Sequence, residues 1–108
     1  MNKTNDQLTD WIRKGMQPIG PVSVRAMGEG QAVYLENVFF ALVKDGRIWF
    51  YADEESDLAF DAAGSEWMEG SHQQQYFRSA PDAAYEDAKD LRKWAKQGMA
   101  AGRRTKFK

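Results

Sequence analysis

Between Val22 and Ala52, runs of Val, Ile, Leu, Phe, Tyr and Trp alternate at short intervals with pairs of turn residues. That texture specifies neighbouring extended segments joined by tight turns, an antiparallel meander. Val22–Met27 is predicted as a strand, Gly28-Glu29-Gly30 as either a bulge or a tight turn, and Gln31–Leu35 as its continuation. Glu36-Asn37 then turns the chain into Val38–Lys44. Asp45-Gly46 turns it into Arg47–Ala52, the stronger signal of the two, since a type I′ hairpin needs positive φ at both central residues. Counted this way the meander has three strands.

Helical signals flank it. Thr4 is placed to cap a first helix with Gln7 as its capping-box partner, and Leu8, Trp11, Ile12 and Met16 recur on one face. Pro18 and Pro21 end that helix by about Gln17. After the meander, Asp53 or Ser56 can cap a short helix running to Ala63, with Gly64 as its left-handed terminator and Leu58, Phe60, Ala62 and Ala63 as its buried side. Glu66–Glu69 and Gln73–Arg78 read as a hairpin across Gly70-Ser71. Pro81-Asp82 opens a last helix, with Ala84, Ala88, Leu91, Trp94, Ala95 and Met99 at helical spacing up to Gly102.

The expected fold is therefore α+β in two layers, in the order α-β-β-β-α-β-β-α. An antiparallel five-stranded sheet is covered on one face by amphipathic helices. A chain of 108 residues has the size of one domain, here drawn as residues 1–102, with residues 103–108 as a basic C-terminal tail beyond the last helical turn. The hydrophobic share of 43%, with six Phe, four Trp and four Tyr, is enough to fill one core.

Charge is unevenly distributed although the net is −1. Residues 1–44 carry five cations and four carboxylates, residues 45–90 three and twelve, and residues 91–108 seven and none. Helix dipoles account for part of this, because carboxylates favour helix starts and cations helix ends. They do not account for Arg103-Arg104-Thr105-Lys106-Phe107-Lys108. Lys93, Lys96, Arg103, Arg104, Lys106 and Lys108 are thus candidate nucleic-acid contacts, weighed against a solvated terminus. No apolar stretch is long enough for a membrane span or a signal peptide, so a cytoplasmic protein that does not engage a membrane is expected.

Chemistry-bearing motifs are scarce. There is no cysteine, and the single histidine, His72, stands beside the predicted Gly70-Ser71 turn without a partner for a zinc site or an orienting group for base catalysis. Asp53-Glu54-Glu55-Ser56-Asp57 lacks the spacing of a calcium loop and reads as a carboxylate-rich helix start. Gly28-x-Gly30 precedes more strand instead of a helix, so it is no dinucleotide fingerprint. Neither catalytic residues nor a metal or cofactor is expected. The strand aromatics exceed what one buried face takes up: alternation leaves Phe39 with Trp49 and Tyr51, or their alternates, on the other face, where a partner or a second copy of the chain is the natural cover.

Several of these segments resemble one family. Gly20-Pro21-Val22-Ser23-Val24-Arg25-Ala26-Met27 and Val33-Tyr34-Leu35-Glu36-Asn37-Val38-Phe39-Phe40-Ala41-Leu42-Val43 are similar to the opening strands of the TfoX/Sxy competence-regulator N-terminal domain. Ala52–Glu55 and Phe60–Glu66 resemble its second helix and the turn after it, and Tyr76-Phe77-Arg78, Pro81 and Leu91-x-x-Trp94-Ala95 its closing strand and helix. The resemblance implies a secretion-chaperone-like fold and a regulator supporting transcription of DNA-uptake genes, without catalytic residues. Longer relatives carry a second, C-terminal domain, so a stand-alone relative is implied. The expected function is a non-enzymatic regulatory or adaptor domain that binds protein, such as a component of the transcription machinery, with a homodimer as a further possibility. Weak direct nucleic-acid binding through the basic segment is the alternative, and a small enzyme of unknown reaction comes last.

Overall fold

The computed structural model describes residues 4–28, 30–68 and 76–106. Helix α1 (Asn5–Gly15) is followed by strands β1 (Val22–Met27), β2 (Gly30–Leu35), β3 (Val38–Lys44) and β4 (Arg47–Ala52). Helix α2 (Glu54–Ala62), strand β5 (Tyr76–Ser79), a single turn α3 (Ala83–Glu86) and the long helix α4 (Ala88–Lys106) complete the chain. The strands form one antiparallel sheet in the order β1-β2-β3-β4-β5. Fold class, sheet and helical cover are those expected from the sequence.

The five strands are shared out differently, however. Met27 pairs with Gly30 across a turn that begins at Gly28 (φ 57°), so the glycine segment is the tight turn and the meander has four strands. The other two turns are as anticipated, with Glu36 and Asn37 at φ 52° and 65°, and Asp45 and Gly46 at 55° and 73°. The two arms of the expected hairpin meet in one antiparallel bridge, Trp67 to Arg78, flanked by backbone bonds Met68 N to Phe77 O and Ser79 N to Glu66 O, although only Tyr76–Ser79 forms a strand. Glu69 to Gln75, including the expected Gly70-Ser71 turn, lie outside the described residues.

Helices α1 and α4 cover one face. Leu8, Ile12 and Met16 from α1, and Leu91, Trp94, Ala95 and Met99 from α4, form one core with Val33, Leu35, Phe40, Ala41, Val43, Ile48, Phe50 and Ala52 of the sheet. The Thr4–Gln7 capping box starts α1 as expected. Trp11 Nε1 donates to the Ala84 carbonyl at 2.8 Å, and Arg92 Nη1 donates to the Gly15 carbonyl at 2.8 Å, which satisfies an orphan acceptor at the end of α1.

Asp53 caps α2 in a reciprocal box with Ser56, and Gly64 (φ 75°) follows its end. Its buried side is a correction to the sequence reading. Phe60 and Ser56 are buried, but Leu58 is 80% exposed and Ala62 and Ala63 are exposed, because α2 meets the core along one narrow line.

The last helix is also two helices. Asp82 makes no capping bond, Asp87 is extended, and its Oδ1 accepts from Lys89 N at 2.7 Å to start α4 afresh. The break leaves Tyr85 free to approach β4, where its hydroxyl accepts from Ile48 N at 2.8 Å. At the other end α4 does not stop at Gly102 but continues through Lys106, so residues 103–106 are helical and not a tail beyond the last turn. Gly102 is there for close approach, not termination: a Cβ built on it would lie 2.6 Å from the Phe39 carbonyl oxygen, and one on Gly98 2.5 Å from that of Phe40.

Candidate functional site

The sheet face turned away from the helices has its own order. Strand alternation sends Ala32 and Tyr34, Leu42, Trp49 and Tyr51, and Phe77 and Ser79 to that side, and cross-strand pairing lines up Ala32, Leu42, Trp49 and Ser79 as one row. Phe39 joins them through a bulge. Val33 pairs with Ala41 while Tyr34 pairs with Phe39, so Phe40 is an extra residue. The consequence is that Phe40 and Ala41 both enter the helix-covered core, while Phe39 stays outside with the aromatics.

Four rings form a contiguous cluster there. Phe39 lies 5.2 Å from Tyr34, 6.0 Å from Tyr51 and 5.6 Å from Phe77, and Tyr51 and Phe77 are 5.4 Å apart. Offset and tilted rings at such distances add about 1 kcal/mol per pair beyond burial. Arg25 stands over the Tyr34 ring at 5.3 Å and Arg47 over Trp49 at 4.6 Å. Phe39, Trp49, Tyr34 and Phe77 are half-buried, and Tyr51 is buried. Of the two alternating sets that the sequence left open, the one on this face is Phe39 with Trp49 and Tyr51.

The cationic candidates separate into two groups. Lys93 and Lys96 are exposed on α4, Lys93 with its ammonium 5.2 Å from the Trp94 ring, and Arg103 is exposed with Glu36 at 4.0 Å. Arg104 belongs elsewhere. Its Nε and Nη2 grip Asp53 at 2.5 and 2.7 Å, and Nε also reaches Glu55 at 2.6 Å. As a candidate phosphate contact it is therefore corrected: it ties the C-terminal turn of α4 to the start of α2. Lys106 is the last residue of α4, and Lys108 lies outside the described residues, as does His72.

This latch gives a pH-dependent expectation. The Arg104 guanidinium holds the Asp53 carboxyl below its ordinary value of 3.8, with the Ser56 amide helping and partial burial opposing. A carboxylate whose folded pKa is depressed adds stability that is present above the unfolded pKa and lost as pH falls through the folded one. Asp53→Asn keeps the capping acceptor but removes the charge. Its stability deficit in urea unfolding is expected to be full near neutral pH and to shrink as the pH falls below 3.8 through the depressed folded value; a deficit independent of pH would contradict the latch.

A second ion-pair network went unnoticed in the sequence. Arg78, on the core side of β5 and 1% exposed, donates to Asp57 at 3.0 Å, Asp61 at 2.7 Å and the Ser65 carbonyl at 3.0 Å. Its guanidinium lies 4.1 Å from the Trp67 ring and 5.8 Å from that of Phe60. The available signal was the spacing of Asp57 and Asp61, four apart on one helix face. Among the described residues, no group of three or more His, Cys, Asp or Glu is arranged to hold a metal ion, and no helix is long and apolar enough to cross a membrane.

The family model of the TfoX N-terminal domain matches residues 14–102, a span that takes in the whole sheet, the outer aromatic cluster and most of α4. The chain belongs to that family. No curated protein matches it. As a TfoX N-terminal domain it is regulatory in kind, and the family is not one of known enzymes. Both the bulge at Phe39-Phe40 and the Arg78 network lie inside the matched span.

Proposed function

We propose that this TfoX N-terminal domain is a non-enzymatic adaptor that binds a protein of the transcription machinery through the outer face of its sheet, in the cytoplasm. The observation that carries the reading is the aromatic cluster Tyr34, Phe39, Tyr51 and Phe77 with Trp49 beside it, on the side that no helix among the described residues covers. Half-buried aromatic rings with adaptable arginines at the rim are the composition from which protein-binding hot spots are built. Arg25 and Lys44 beside the rings favour a partner whose apolar patch is bordered by carboxylates, whereas Arg47 is already paired with Glu66 at 2.8 Å.

The test is capture from a bacterial lysate by the immobilised domain, with Phe39→Ser and Trp49→Ser run alongside. The wild type is expected to retain a transcription protein that the variants lose by at least about tenfold, as fits the loss of a hot-spot aromatic. Recovery of metabolic enzymes alone, or equal recovery by the variants, would refute the reading. A homodimer is the second reading, favoured by the same apolar face. Light scattering coupled to size exclusion would then give twice the monomer mass for the wild type and the monomer mass for Phe39→Ser.

A further inference from the structure

The long helix has an outer face that the adaptor reading does not use. Lys89, Lys93, Lys96 and Arg103 follow one another at intervals of four, three and seven residues, with Ala100 completing the stripe. All four cations are exposed. Among the described residues, Lys89, Lys93 and Lys96 have no salt-bridge partner, and Arg103 meets only Glu36 at 4.0 Å. The stripe extends for about 21 Å along a straight helix.

The nearby negative charge is largely answered internally. Asp53 and Glu55 are paired with Arg104, and Asp57 and Asp61 with Arg78, which among the described residues leaves Glu54 as the one carboxylate of this segment without an ion-pair partner. Asp90 sits half-buried on α4 itself, and the exposed Glu86 and Asp87 lie at its start.

We propose that this stripe is a docking surface for double-stranded DNA, engaging the phosphate backbone without reading sequence. A line of cations, flanked by the half-exposed Gln97 and by the carboxylate of Asp90, complements a line of evenly spaced phosphates and carries little base-specific information. Single-stranded nucleic acid would call for exposed aromatics on the same face, and Trp94, the ring nearest the stripe, is buried in the core. A membrane surface would call for an apolar face free to insert, and the apolar face of α4 is committed to the sheet. B-form DNA opens a major groove wide enough to seat a helix beside its phosphates, whereas that of duplex RNA is too narrow and deep.

The site is on the opposite layer from the aromatic face, so the two activities fail separately. Fluorescence anisotropy with a labelled 30-base-pair DNA of arbitrary sequence tests it directly. Four phosphate contacts predict a slope of about −3.6 in log affinity against log salt, close to a hundredfold weakening between about 50 and 200 mM. Lys89→Gln/Lys93→Gln/Lys96→Gln is expected to cut the slope to about −1, with Lys96→Glu alone as a milder second variant that also weakens binding. Phe39→Ser is expected to bind DNA as the wild type does. Absence of saturable binding, a triple variant that binds normally while its circular dichroism is unchanged, tighter binding to a duplex RNA of the same sequence, or displacement of the DNA by an equal charge of polyglutamate would each overturn the proposal.

Discussion

Replacing Arg78 by Ala is expected to destabilise the domain by about 3 kcal/mol, seen as a lower urea midpoint at pH 7. Removing one partner of a buried ion pair typically costs 3–5 kcal/mol. The lower end applies here because the carboxylates left behind are not sealed: Asp61 keeps 59% of its side-chain surface exposed and Asp57 22%, so both can rehydrate. The guanidinium also fills the space between Trp67 and Phe60, so truncation removes packing along with charge. Arg78→Met separates the two contributions, since it keeps an unbranched stem of similar reach and discards the charge. It is expected to recover about half of the loss, because hydrophobic replacement of a buried ion pair is often close to neutral. Among the described residues Arg78 Nε has no acceptor, which leaves part of the burial cost unrepaid in the wild type. A loss below about 1 kcal/mol for Arg78→Ala would show that the network is incidental to stability.

Gly98→Ala is expected to destabilise, against the sign that helix propensity alone assigns. In an exposed helix interior, Gly to Ala gains about 1 kcal/mol. At Gly98 the new Cβ would be placed 2.5 Å from the carbonyl oxygen of Phe40, a backbone atom with no rotamer to escape into. Either α4 lifts from β3 or the bulge shifts, and overpacking of this kind costs about 1–3 kcal/mol. A net loss of about 1–2 kcal/mol is therefore expected in thermal or urea unfolding. Gly102→Ala meets two obstacles, the Phe39 carbonyl oxygen at 2.6 Å and Val38 Cγ1 at 2.8 Å, and is expected to behave alike. Stabilisation by either substitution would mean that α4 rides more loosely on the sheet than the structure shows. Both contacts fall on the strand that presents Phe39 outward, so a shifted α4 is also expected to weaken whatever binding the aromatic face supports.

These two sites show how the layers are joined. Glycines bring α4 down onto the bulged strand, the Arg104 latch fastens its C-terminal turn to α2, and Arg78 fastens α2 to β5. The helix that carries the cationic stripe is thus fixed at several points along its length, while its outward side is left to solvent. An adaptor face on one layer and a phosphate-binding face on the other would let a single small domain bridge a protein and DNA.

Alternation and turn chemistry were local, and what is local was legible from the residues alone. Pairs such as Asp45-Gly46 impose their own backbone, a capping box closes over four residues, and a run such as Ile48 to Ala52 must send alternate side chains to opposite faces. That puts Trp49 and Tyr51 on one shared face, but strict alternation would seat Phe39 with Ala41 and Val43 in the core, and only the bulge at Phe40 turns it outward. The tertiary structure decided everything that depends on residues far apart in the chain. Whether Gly102 ends a helix or lets it touch a strand depends on what lies opposite, and propensity carries no information about that. Whether an arginine is free for phosphate or already held depends on which carboxylate the fold brings near. Arg103 and Arg104 are neighbours of identical chemistry, yet a turn of about 100° along the helix leaves one exposed with only the distant Glu36 at 4.0 Å and clamps the other onto Asp53.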